Sequence, residues 1–146
     1  LVQTSLNMGV MRMEEDGLYF GVSVRSCIAT QKKMMVQRLK AILELGGGSF
    51  TLRGDYPGWQ YDRNSALREE VLAVYQAVCG REGTIEATHG GLECGLFVEK
   101  LPGLDAVSFG PELHDVHSVK ERLSVASTRR VYEVTRELLR RESAAR

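Results

Sequence analysis

The sequence predicts a mixed α/β protein in two parts: a partial domain of antiparallel strands with one helix, then half of a mostly parallel sheet covered by helices. Three observations carry this expectation. Two runs rich in β-formers flank Asp16-Gly17, a short-range hairpin signal. Apolar residues recur at helical spacing in the stretches that follow residues 30, 65 and 127. From residue 65 onward, strand-like and helix-like stretches alternate, the pattern of strands joined by covering helices.

Thr4–Met13 and Leu18–Cys27 read as the hairpin strands, with Glu14-Glu15-Asp16-Gly17 between them. Thr30 can cap a helix by accepting from a free backbone N–H, and Met35, Leu39, Ile42 and Leu45 then form one apolar face. Gly46-Gly47-Gly48 stops that helix, because glycine takes a positive φ without a Cβ clash. Ser49–Arg53 resumes as a strand. Gly54–Asn64, with Pro57-Gly58, Trp59 and two tyrosines, breaks the composition and marks a domain boundary, residues 1–54 lying before it and 55–146 after. Ser65 caps a second helix bearing Leu67, Val71, Val74 and Val78, with Glu69 and Glu70 near its positive end and Gly80 at its stop. Thr84–Thr88 reads as a short strand, Gly91–Lys100 as a short helix and Leu104–Phe109 as an apolar strand. Gly110–Ser124 is a long polar loop, and Ser127–Arg141 a closing helix with Val131, Val134 and Leu138 on one face.

A chain of 146 residues is one domain's worth on a prior of about 100–200 residues per domain. Its 43% hydrophobic and 26% charged residues suit a folded protein and exclude collagenous or low-complexity architecture. The apolar runs fall far short of the roughly 18 residues that a membrane span needs. The chain opens at Leu1 without the basic start and apolar run of a secretory signal, which reads as a chain processed or cut from something longer. Nineteen basic and nineteen acidic side chains cancel, so the basic surplus of a nucleic-acid binder is absent. Cys27, Cys79 and Cys94, odd in number and widely spaced, make neither a disulfide framework nor a zinc ribbon and fit a reducing compartment.

Few residues offer chemistry by themselves. His114 and His117 stand in a loop after an apolar strand, where an imidazole can bind metal or simply face water. Thr88-His89-Gly90-Gly91 lies at a strand-to-helix turn, suited to an anion or merely tight. There is no Walker motif and no G-x-G-x-x-G. Arg25 ends the second strand, where its planar fork can grip a carboxylate or stay solvated. Cys94 has no histidine beside it in sequence and reads as a buried thiol.

Longer stretches say more. Ile85-Glu86-Ala87-Thr88-His89-Gly90-Gly91-Leu92-Glu93-Cys94-Gly95-Leu96-Phe97, then Leu101-Pro102-Gly103-Leu104-Asp105, Ser108-Phe109-Gly110-Pro111, His117-Ser118 and Glu121 form one set. Together they resemble the C-terminal part of the aminoacyl-histidine dipeptidases, cytosolic nonspecific, carnosinase-like enzymes of the dizinc aminopeptidase-like superfamily. Thr4-Ser5-Leu6-Asn7-Met8-Gly9 and Ser23-Val24-Arg25-Ser26 resemble, more loosely, a segment of that family's lid domain. Val119 departs from the pattern, which has proline after His-Ser, and the N-terminal half is missing.

The resemblance implies a catalytic domain with two zinc ions and an inserted lid that closes over a dipeptide. It implies that residues 1–54 are the C-terminal half of the lid and dimerisation domain, and residues 55–146 the last segment of the catalytic domain. It assigns Arg25 to the substrate's terminal carboxylate, Gly91 to a backbone contact with substrate, Asn7 and His89 to the neighbourhood of the site, and His117 to zinc, leaving His114 a bystander. A zinc pair, with ions roughly 3.5–4 Å apart, polarises the scissile carbonyl and acidifies its water, while a separate glutamate takes the proton. The family draws that glutamate and the remaining ligands from the N-terminal portion. No catalytic residue is thus expected in this segment, which should neither hydrolyse dipeptides nor hold zinc tightly alone. Its expected partners are the dipeptide, the missing N-terminal portion and a second copy in a homodimer, in the cytoplasm, with neither nucleic acid nor membrane. The alternatives are a non-catalytic interaction domain that keeps the fold of the enzyme's tail, and a related dizinc hydrolase of acylated amino acids.

Overall fold

A computed structural model describes residues 2–87 and 92–144. In chain order the elements are β1 (Thr4–Glu14), β2 (Gly17–Ser26), α1 (Ala29–Leu45), α2 (Ala66–Cys79), α3 (Glu93–Lys100), β3 (Leu113–His114), β4 (Arg122–Leu123) and α4 (Val125–Ala144). They fall into two compact units, one of Leu1–Asp62 with Glu86–Leu104, the other of Arg63–Ile85 with Asp105–Arg146. No helix among the described residues is long and apolar enough to cross a membrane.

The first unit is built on the expected hairpin. β1 and β2 pair antiparallel from Thr4↔Ser26 to Glu14↔Gly17, with a register shift between Met8 and Val10 that leaves Gly9 as the extra residue. Thr4, Val22, Val24 and Ser26 are partly or fully buried along one face, against which α1 packs with Gln31, Met35, Val36 and Leu39. Polar groups at this seam form a closed relay. The Ile28 N–H donates to Ser26 Oγ at 3.0 Å, Thr4 Oγ1 lies 2.9 Å from Ser26 Oγ, and the Thr4 hydroxyl donates to Gln31 Oε1 at 2.7 Å. Since Thr4 has spent its one proton on Gln31, the Ser26 hydroxyl is the donor between the two.

Two expectations for α1 are corrected. Thr30 is not its cap: the helix begins after Ile28 with no side-chain cap bond, so Thr30 lies inside its first turn, and the Lys32 N–H that it could have capped donates to Ile28 O at 3.0 Å. Of the expected apolar face, Ile42 and Leu45 point into solvent. The packed stripe ends with Leu39 and Leu43, four residues apart. Elsewhere in this unit Gly95, buried in α3, lets the helix approach the backbone: a Cβ there would stand 3.1 Å from the Pro57 carbonyl oxygen and 3.4 Å from Trp59 Cβ.

The second unit packs α2 against α4. Val74 and Val134 are its most deeply buried side chains, with Val71 beside them. Ser65 caps α2 as expected, its Oγ accepting from Arg68 N at 3.0 Å, and Gly80 ends it in the left-handed region at φ 69°. Asp105 reinforces that cap. Its carboxylate accepts from Ser65 Oγ at 2.6 Å and from Leu67 N at 2.9 Å. These two donors, the hydroxyl foremost, hold its carboxyl below the usual range. Ser127, buried in the first turn of α4, accepts from Glu112 N and donates to Ser124 O, each at 2.8 Å.

The mixed class is as expected, but the pairing differs. Both strand pairs, β1–β2 and β3–β4, are antiparallel, and no parallel pair occurs among the described residues. The stretches 49–53, 84–87 and 104–109, expected as strands, belong to no ladder. A strand exists only with a neighbour to accept and donate its backbone bonds, and these stretches find none here. The long loop is not wholly irregular: Leu113↔Leu123 and His114↔Arg122 close its base.

Candidate functional site

The outward face of the hairpin carries the clearest arrangement. Side chains two apart on a strand share a face, and directly paired residues share it across strands. Ser5 pairs with Arg25 and Asn7 with Ser23, so these four polar side chains form a rectangle. They line an open cleft of about 340 Å³. Ser5 is half-buried and the other three are exposed. Among the described residues no hydrogen bond or ion pair occupies the Arg25 guanidinium, the Asn7 amide or either hydroxyl. The next even-numbered pairs close the face, Val10 opposite Gly21 and Arg12 stacked over Tyr19 at 4.5 Å.

The structure therefore brings Asn7 and Arg25 together. Chemically the cluster offers the five N–H donors of a guanidinium, an amide and two hydroxyls, with no carboxylate among its lining residues. That set suits an anion, above all a carboxylate that the guanidinium fork can hold with two parallel bonds. His89 and Gly91 lie outside the described residues.

His117 belongs to the second unit. It sits in the turn between β3 and β4, with φ 64°, and Asp115 precedes it with φ 52°. The left-handed region costs a residue with a Cβ roughly 1–2 kcal/mol, though histidine tolerates it better than most. Local bonds hold the turn there. His117 N donates to Glu121 Oε2 at 2.7 Å, Ser118 N and Oγ both donate to Asp115 O, and Arg122 pairs with the Asp115 carboxylate. The His117 residue is exposed at the tip, while His114 lies in the ladder opposite Arg122. Among the described residues no group of three or more His, Cys, Asp or Glu side chains could hold a metal ion. A lone exposed imidazole can serve a metal only as one of several ligands.

Sequence reasoning missed three participants: Ser5 and Ser23 beside the arginine, and Glu121 behind His117. The signal for the first two was present as Ser5-x-Asn7 and Ser23-x-Arg25, a period of two on both hairpin strands.

No protein-family model matches the chain. It is 36% identical over 140 residues to the cytosol non-specific dipeptidase of Escherichia coli (strain K12), a match covering 96% of this chain and 29% of that protein. The crystal structure of aminoacylhistidine dipeptidase from Vibrio alginolyticus superposes with a TM-score of 0.78 at 34% identity, again over 96% of this chain and 29% of that one. Nearly the whole chain is thus related, in sequence and in fold, to dipeptidases of which it spans under a third of the length.

Proposed function

We propose that this chain is the C-terminal segment of a zinc-dependent, cytoplasmic dipeptidase that hydrolyses Xaa-His and other dipeptides, and that the segment alone is inactive. The observation that carries the reading is kinship with dipeptidases along 96% of the chain, in sequence and in fold alike. Residues 1–54 are the lid half and residues 55–146 the last part of the catalytic domain. Arg25 grips the terminal carboxylate of the dipeptide with Asn7 beside it, a role supported by the open guanidinium in a cleft whose lining residues include no carboxylate. His89 and Gly91 contact the same substrate. His117 supplies one zinc ligand, a role supported by its exposed place at the tip of a bonded turn. When bound, the metal pair polarises the scissile carbonyl. A homodimer forms through the hairpin, where Met11, Met13 and Leu18 are 66%, 79% and 54% exposed and offer apolar area to a second copy.

The test is dipeptide hydrolysis by the protein of the complete reading frame that contains this chain. Activity lost on chelation and restored by zinc is the expected result. Hydrolysis indifferent to chelation, or none of any dipeptide, overturns the reading.

A further inference from the structure

We propose that Ser5 is a further substrate-binding residue, donating its hydroxyl proton to the same carboxylate that Arg25 holds. The proposal rests on the dipeptidase reading and deepens it. Three observations carry it.

First, Ser5 is the direct cross-strand partner of Arg25, and side chains so paired stand about 4.5–5.5 Å apart at Cβ. A guanidinium reaches well beyond its own Cβ, so a carboxylate lying on its fork stands over the rectangle in front of Ser5. Two fork bonds leave each carboxylate oxygen with a free lone pair, and a hydroxyl at this position can fill one. Second, the hydroxyls of the opposite hairpin face are consumed by the fold: Ser26 and Thr4 are locked in the relay to Gln31. Ser5, one position along from Thr4, forms no such bond among the described residues, although it is half-buried and lines the same cleft as the arginine. Third, serine keeps the cleft open. A longer side chain directly opposite Arg25 would fill the space that the ligand needs.

Binding to the 146-residue chain tests this, read by amide and Arg25 Nε–H shifts in NMR titrations. The probes are glycyl-histidine and its C-terminal amide. The wild-type chain should bind the free carboxylate in preference to the amide. Ser5→Ala should weaken carboxylate binding about tenfold, the lower end for a hydrogen bond to a charged group, and leave amide binding unchanged. Ser5→Thr, which keeps the hydroxyl, should restore it. Because the Ser5 hydroxyl bonds to nothing among the described residues, the Ser5→Ala spectrum should match wild type away from the cleft. If Arg25→Ala abolishes the preference while Ser5→Ala binds as wild type does, the inference is overturned and the role of Arg25 stands. If wild type and Arg25→Ala are alike indifferent to carboxylate and amide, both fall. A Ser5→Ala chain whose spectrum changes throughout would assign Ser5 to the fold instead, and would also overturn the proposal.

Discussion

Asp105 holds Ser65 from forty residues away: its carboxylate accepts from the Ser65 hydroxyl at 2.6 Å while the same oxygen caps α2 by accepting from Arg68 N at 3.0 Å. Asp105 also takes the Leu67 N–H, so side chains from two places in the sequence cover the free donors of one helix start. Replacing Ser65 by alanine should cost about 1–2 kcal/mol, the upper range for a capping serine, since Asp105 loses a donor as well. The Asp105→Ala loss should overlap with it. A double-mutant cycle by urea unfolding is expected to give a total clearly below the sum of the single losses. Strict additivity would mean that the two side chains cap independently.

Acid should loosen the second unit through two carboxylates. Asp105 is held low by the Ser65 hydroxyl and then the Leu67 N–H, and Glu137 is lowered to about 2, first by Arg140 and then by Arg141. A carboxyl lowered by folding stabilises above its unfolded value, ordinarily 3.8 for aspartate and 4.5 for glutamate, and loses that contribution as pH falls through the folded value. Stability should therefore be level from neutral pH down to the ordinary carboxylate range and then decline towards about pH 2. Urea midpoints across that range check it, and Asp105→Asn should flatten part of the slope. An unchanged midpoint throughout would exclude both groups.

Gly58 is a packing requirement. A Cβ at this position would lie 2.8 Å from Cys27 C, Cys27 O and Ser26 O, all backbone atoms at the end of β2 that cannot swing aside. Gly58→Ala should cost about 1–3 kcal/mol as overpacking. Gly110→Ala, where a Cβ meets nothing within 4 Å, is the control and should stay within about 0.5 kcal/mol of wild type. Equal melting temperatures for the two variants would refute the clash.

In the complete enzyme, Arg25 and His117 should fail differently. Removing the fork leaves the dipeptide's carboxylate unpaired and should cost about 2–5 kcal/mol in kcat/KM, with part of the loss in KM. Arg25→Lys should recover little, since an ammonium cannot reproduce two parallel bonds. His117→Ala should lower kcat and zinc content together while dipeptide binding persists. Steady-state kinetics with metal analysis decides. Unchanged constants for Arg25→Ala, or full metal and turnover for His117→Ala, would remove the respective assignment.

Local signals were the legible part of this fold. Asp16-Gly17 announces the hairpin, and Ser65 with Gly80 brackets α2, because each acts through its own backbone or its nearest turn. The stretches 49–53, 84–87 and 104–109 were misread because an apolar run records a preference, while a strand also needs a partner that the run does not name. Thr30 was misread for a related reason. A hydroxyl near a helix start is a candidate cap, but the helix starts one residue before Thr30, and Ile28 O takes the Lys32 N–H in the helical ladder. At the candidate site, Arg25 and Asn7 were legible through family resemblance. That Ser5 and Ser23 complete their rectangle required the pairing register, which no single strand contains.

The extra residue at Gly9 acts as a phase shifter. Up to Met8 the odd-numbered residues of β1 face outward with Ser23 and Arg25; beyond the bulge the even-numbered Val10 and Arg12 continue that face, opposite Gly21 and Tyr19. The other face accordingly runs unbroken as Leu6, Met8, Met11 and Met13 against Val24, Val22, Phe20 and Leu18. Deleting Gly9 would turn the hairpin into a regular ladder, because Met8 and Val10 would become neighbours opposite Val22 and Gly21, which already are. Asn7 and Ser5 would keep Ser23 and Arg25 as their partners, so both faces would stay as they are and only the local kink and added twist of the bulge would be lost. The bulge thus absorbs one residue of chain without mixing the greasy side with the wet, arginine-bearing side, and turns it into a local bend beside the recognition cleft.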